Sequence, residues 1–225
     1  MAEIKDGILG GVQGKVGTVV GYTYRGKKII RSLSDNSTKP ATEAQILQRS
    51  KLTITVKFLK SIKGFVNAHY PVVTTTNKIK VGYDQLRSEM MTNGLEIKEN
   101  MVHILPERVI LSIGVLTPAA IQKINFLKDY KVKVRWDDTL INALTNANDQ
   151  LTIIAFHDEL NEFHTVKNIA KRTDKYTHFE LPEEWETGTI HFWSVWVSTE
   201  KSINSTSSYH YPLTLNRAKE EILKE

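Results

Sequence analysis

Apolar and polar positions along this 225-residue chain change period as it proceeds, and each change predicts a different element. Residues 16 to 31 alternate as a hairpin does, with Val16, Thr18 and Val20 on one face, Arg25-Gly26 as the turn, and Lys28-Ile29-Ile30-Arg31 as the returning strand. The polar stretch Ser32 to Pro40 cannot continue a strand. Thr42-Glu43-Ala44-Gln45 then has the spacing of a capping box, so a helix is expected to begin there. Leu47, Ile54, Phe58, Ile62 and Phe65 recur at helical intervals as one apolar stripe, Arg49, Lys57, Lys60 and Lys63 take other faces, and Gly64 is the expected stop.

Residues 67 to 105 keep no period for long, because Pro71, the Thr74-Thr75-Thr76-Asn77 cluster and Gly82 interrupt it. Only Tyr83 to Thr92, followed by Asn93-Gly94, reads as a short helix with its stop signal, so the stretch is expected to be a connector. From residue 108 the period becomes two. Expected strands are 109 to 116, 132 to 136, 151 to 157, 163 to 169, 177 to 181, 189 to 197 and 207 to 213, bounded by Asp, Asn, Gly, Pro or Glu-rich turns. Seven short strands at this spacing imply an immunoglobulin- or fibronectin-like sandwich. The fold class expected is therefore mainly β, α+β overall. Its organisation is a basic hairpin and amphipathic helix over 1–66, a connector over 67–107, a seven-stranded β-sandwich over 108–215 and a tail over 216–225.

One strand is apolar on both faces: Ile190, Phe192 and Trp196 on one, Trp193, Val195 and Val197 on the other. Such a strand is central or covered. Either the N-terminal helix covers it, or a second subunit does, with Trp193 at the contact.

Charge sharpens the division. Residues 1–65 hold twelve Lys or Arg against four Asp or Glu, a balance of 12 − 4 = +8, so the remainder sums to −3 within a total of +5. A basic segment on a mildly acidic body suits a nucleic acid or an acidic protein surface. There is no cysteine, which excludes disulfides, thiolate metal sites and cysteine nucleophiles. The opening Met1 to Gly7 lacks a basic n-region and a long apolar core, and no run reaches the length of a membrane span, so a cytoplasmic protein at synthesis is expected.

Catalytic patterns are weak throughout. Gly21 to Lys28 has the Gly-x-x-x-x-Gly-Lys skeleton of a phosphate loop, but a lysine stands where magnesium needs Ser or Thr, and a strand-like segment follows. Gly11-x-x-Gly14-x-x-Gly17 lacks the Gly-x-Gly of a dinucleotide turn. His157, Asp158 and His164 flank one expected hairpin without metal-ligand spacing, and His191 has no evident serine and carboxylate partners. The pairs Asp137-Asp138, Asp158-Glu159 and Glu183-Glu184 sit at strand ends, where neighbours point to opposite faces and cannot share one glycosidic bond unaided. No catalytic, cofactor-binding or metal residue is assigned.

Seven of the twelve glycines fall in the first 26 residues, which suits tight backbone geometry against a partner. Gly14-Lys15-Val16-Gly17-Thr18-Val19-Val20-Gly21, then Gly26-Lys27-Lys28-Ile29-Ile30-Arg31, then Thr42 to Arg49, together with later landmarks such as Val132 to Trp136 and Leu181 to Trp185, resemble an uncharacterised family common in Bacteroidetes genomes and catalogued as a domain of unknown function. The resemblance spans nearly the whole chain and implies membership without an activity. The Thr-x-x-Gln-x-x-x-Arg segment is also similar to stretches of phage structural proteins. The expectation is a non-enzymatic structural protein that assembles with itself or with neighbours in a particle such as a virion. Gly14, Lys15, Gly17, Gly21, Tyr22, Tyr24, Arg25, Lys27, Lys28, Arg31 and Trp193 are its expected contact residues. Nucleic-acid binding through the same segment, with Tyr22 and Tyr24 stacking on bases, is the alternative, and sugar binding by Trp185 or Trp193 is a third reading.

Overall fold

The computed structural model describes residues 3–4, 10–33, 40–75, 78–127, 131–137, 142–200 and 202–216. Gly7, Asp138 and the tail from Arg217 to Glu225 lie outside the described residues. The chain is mainly β, with several antiparallel sheets and three α-helices among those residues. It divides into two compact units, residues 1–43 and 44–225.

The first unit is a four-stranded sheet in sequence order: β1 (Glu3–Ile4), β2 (Val12–Val16), β3 (Val19–Tyr24) and β4 (Lys27–Ser32). The Arg25-Gly26 turn joins β3 to β4 as the alternation predicts, with φ of 50° and 76°. Both central residues are thus left-handed, which matches the twist of the flanking strands. A second turn was not legible. Gly17-Thr18 joins β2 to β3, with Gly17 at φ 55°, so Val16, Thr18 and Val20 do not share one strand face and Val16 instead pairs with Val19.

The second unit opens with α1 (Glu43–Leu59), which starts where the capping-box residues fall. The expected single helix breaks at 60–62 and resumes as α2 (Lys63–His69). Gly64 lies inside α2, so it is not the stop. Next come a small hairpin, β5 (Val73–Thr75) and β6 (Lys78–Lys80), then α3 (Gly82–Asn93), which ends at Gly94 as expected, and a second hairpin, β7 (Leu95–Lys98) and β8 (Met101–Ile104). Gly82 has a packing reason: a Cβ there would overlap the Tyr70 side chain and lie 2.7 Å from the Val66 carbonyl oxygen, so α2 and α3 can approach closely.

The remaining strands are β9 (Ala120–Phe126), β10 (Lys131–Asp137), β11 (Gln150–His157), β12 (Glu162–Lys171), β13 (Tyr176–Glu180), β14 (Thr187–Val197) and β15 (Ser208–Asn216). They form a three-stranded sheet, β13-β10-β9, and a four-stranded sheet, β12-β11-β14-β15. One core includes Val132, Val134 and Trp136 of the smaller sheet with Leu151, Ile153, Phe192 and Trp196 of the larger. A second core lies on the opposite face of the larger sheet, where Ile154, Phe156, Trp193 and Val195 meet Phe58, Leu59, Val66, Leu86 and Met90 of the helices and Ile62 of the break between α1 and α2. Residues 67–107 are thus partly a packed helical layer over the sheet. The two-faced strand β14 is covered by the smaller sheet on one face and by the helices on the other.

The strand expected over 109–116 is replaced by an extended segment with little ladder pairing. The Ser207 hydroxyl accepts from the Leu111 N–H at 2.8 Å, the Ser112 hydroxyl donates to the Ser205 carbonyl at 2.9 Å, and a single bridge joins Leu116 to Ser205. Its place in the smaller sheet is taken by β9. The two sheets are tied at one end by a buried ion pair, in which Arg172 lies 3.4 Å from Asp149 and covers the Trp196 ring at 4.4 Å. The Arg172 carbonyl accepts from the Trp136 indole at 2.9 Å.

Candidate interaction surface

The register of the N-terminal sheet sorts the expected contact residues. Lys15 pairs with Val20, Val20 with Arg31, Tyr22 with Ile29, and Tyr24 with Lys27. Side chains alternate along a strand, so Lys15, Tyr22, Tyr24, Lys27 and Arg31 share one face with Val20 and Ile29. The Arg31 guanidinium lies 5.8 Å from the centre of the Tyr22 ring, the diagonal contact this register allows, and Arg25 at the turn lies 5.3 Å from that of Tyr24. Both tyrosines stay exposed, Tyr24 by 54%. Residues 10–33 hold five cations and no carboxylate.

The opposite face is occupied by the chain itself. Gly14 takes a φ of 103°, which turns residues 11–13 back over β3 and β4. A Cβ on Gly21 would overlap the Val12 carbonyl oxygen, one on Gly11 would overlap the Lys28 stem, and the Gln13 amide donates to the Thr23 hydroxyl at 3.1 Å. Gly14, Gly17 and Gly21 therefore serve a kink, a turn and a close approach within the sheet. The tight geometry expected to face a partner is thus internal to the sheet. Lys28 belongs to this folded-over face.

Trp193 is fully buried beneath the helices, and its indole N–H donates to the Val109 carbonyl at 2.9 Å. It is a core residue and presents nothing to a partner. Trp185 is buried as well, against His157 at 5.2 Å between ring centres, so neither tryptophan offers a sugar a stacking platform.

The histidines of the larger sheet serve packing. The His157 ring bridges the Thr187 carbonyl at 2.8 Å and the Leu160 N–H at 3.3 Å, an arrangement that places the proton on Nε2. His191 Nδ1 lies 2.8 Å from the Tyr209 hydroxyl; burial lowers the imidazole pKa and raises the phenol to about 12. One pair escaped the sequence reading: Ser194 and His210, 2.7 Å apart across β14 and β15. Burial depresses His210 to about 4, and Ser194 is wholly enclosed, so this hydroxyl is out of a substrate's reach. Among the described residues no group of three or more His, Cys, Asp or Glu is placed to hold a metal, and no helix is long and apolar enough to cross a membrane. The Gly21 to Lys28 skeleton is a strand, a turn and a strand, without the helix that a phosphate loop requires.

Sequence reasoning also missed a convergence of carboxylates. The β11–β12 turn carries Asp158, Glu159 and Glu162, and the connection into β14 carries Glu183, Glu184 and Glu186. The two segments meet: the Asp158 N–H donates to the Thr189 carbonyl at 3.0 Å, and a Cβ on Gly188 would stand 3.3 Å from the Glu159 carboxyl carbon. All six carboxylates are exposed. The available signal was the absence of Lys and Arg from residues 150–166 and 181–199.

Residues 11–210 match the model of a family of unknown function, DUF6266, and the chain belongs to that family. No curated protein matches. Among solved structures it is similar to the fibronectin type III domain of human contactin 1, at 12% identity over 47% of this chain and 87% of that one. The TM-score is 0.26, and at that level the likeness carries no weight for fold or function.

Proposed function

We propose that this chain is a non-enzymatic structural protein that joins copies of itself or neighbouring subunits into a larger particle, docking through its N-terminal sheet. The observation that carries this is the cationic face of β2, β3 and β4, where Lys15, Lys27 and Arg31 surround exposed Tyr22 and Tyr24 with no carboxylate in residues 10–33. Aromatic and arginine side chains on one rigid face are the composition of protein contact surfaces. Docking runs through these side chains, with the glycines shaping the sheet beneath them. The three- and four-stranded sheets of the second unit are read as an immunoglobulin- or fibronectin-like sandwich that serves as the particle's rigid body. A phage-like virion is one such particle, and capsid, portal or tail genes found beside this one would support that assignment. Light scattering across a concentration series tests the reading: mass should rise with concentration, and a strictly monomeric protein with no partner on pull-down overturns it.

Exposed tyrosines between cations also favour a second reading, binding of single-stranded nucleic acid. That binding must weaken steeply with salt. A mobility shift with DNA or RNA at low salt supports it, and its absence removes it.

A further inference from the structure

We infer that the cationic sheet face of one copy docks on the acidic end of the second unit of another copy, so that unlike surfaces of two copies meet. The inference rests on the assembly reading above and names the partner.

Complementarity within one sequence carries it. Residues 10–33 hold five cations and no carboxylate, while residues 150–166 and 181–199 together hold six carboxylates and no Lys or Arg. The fold gathers each set: strand pairing puts Lys15, Lys27 and Arg31 on one sheet face, and the contacts of Asp158 and Glu159 with Thr189 and Gly188 bring both acidic segments to one end of β11 and β14. Each surface also offers an exposed apolar centre, Tyr22 and Tyr24 on the first and Leu160, 49% exposed, on the second. An apolar centre rimmed by opposite charges is the anatomy of a specific interface. A polyanionic nucleic acid would satisfy only the basic face, whereas a second copy satisfies both. Because the two surfaces differ, their pairing closes reciprocally in a two-fold dimer or repeats as a ring or an open filament.

Sedimentation velocity on the full chain tests this. The unmodified protein should associate at about 50 mM salt and lose about tenfold or more in association constant at about 500 mM, where charges are screened over a few ångströms. The triple variant Lys15→Glu, Lys27→Glu, Arg31→Glu and the triple variant Glu159→Lys, Glu184→Lys, Glu186→Lys should each weaken self-association by at least about tenfold. A chain carrying all six reversals should associate with itself again and not with the unmodified chain. Circular dichroism checks that the variants fold, and the salt series on the unmodified chain needs no variant. Association that survives both reversals and high salt overturns this inference and leaves assembly through another surface. A monomer at low salt and every concentration overturns the assembly reading with it, and a mobility shift of nucleic acid by that monomer assigns the basic face to nucleic acid.

Discussion

The two units are held together by different means. In the second, β11 is buried along nearly its whole length between two apolar cores, and most of its large side chains meet other side chains. In the first, Gly21 alone is fully buried among the described residues, and the sheet is shaped by hydrogen bonds, two tight turns and backbone that lies close over missing side chains. Burial makes the second unit stable and leaves its interior unavailable to partners. The first buries little and so presents most of its side chains to solvent, which is why its chemistry is the more readable as a contact surface.

Truncating a core residue of the second unit should separate the units most sharply. Trp193→Ala is expected to cost the second unit about 3–5 kcal/mol in denaturant unfolding while amide exchange in residues 12–32 is unchanged. Loss of protection in both units together would break the contrast. Acid should act on the second unit next. His210 is depressed from its usual 6.5 to about 4, so the unfolded chain binds more protons between those values. The stabilisation is complete above pH 6.5 and is lost as pH falls towards 4, about 3 kcal/mol in all, with His69, His164 and His191 shifted in the same direction by burial. Unfolding titrations at pH 7, 5.5 and 4 check this, and His210→Gln should flatten the profile.

Smaller effects belong to the sheet. Gly21→Ala should cost it about 1–3 kcal/mol through overlap with the Val12 carbonyl, read as faster exchange in residues 12–32 with the second unit unaltered. Gly26→Ala meets no neighbour and pays only for its left-handed backbone, about 1 kcal/mol, whereas Gly26→Asn should cost less. Tyr22→Ala should cost the sheet no more than about 0.5–1 kcal/mol, because its contact with Arg31 is exposed. If Tyr22→Ala unfolds the sheet, side-chain packing outweighs backbone geometry there after all.

Much of the second unit was legible because period-two alternation survives in β10, while β11 and β14, buried on both faces, read as near-continuous apolar runs. The exceptions have physical causes. In β9, Ile121 and Ile124 both face the core at a spacing of three, because the pairing shifts at Arg135 and Trp136 and interrupts the alternation. Residues 109–116 look like a strand because they are apolar, yet Ser207, Ser205 and Thr206 supply much of their hydrogen bonding. In the first unit composition showed that glycine mattered but not for what: a positive φ at Gly14 and Gly17 and a close approach at Gly21 look alike in sequence. The basic face was legible as charge, while the acidic end needed the fold to bring residues 158–162 beside 183–188.

The strand β14 leaves one further problem, which is alignment during folding. A strand with one oily side is kept in step by solvent, since a one-residue slip would expose it. Here such a slip would exchange Phe192 and Trp196 for Trp193 and Val195 and still keep grease on both sides, so water penalises the error weakly. The polar links must act as pegs instead: the Trp193 indole on Val109, His191 against Tyr209, and Ser194 against His210 each fit only one alignment. A misthreaded β14 would strand all three without partners in a dry interior, so these histidines guard the threading of the strand.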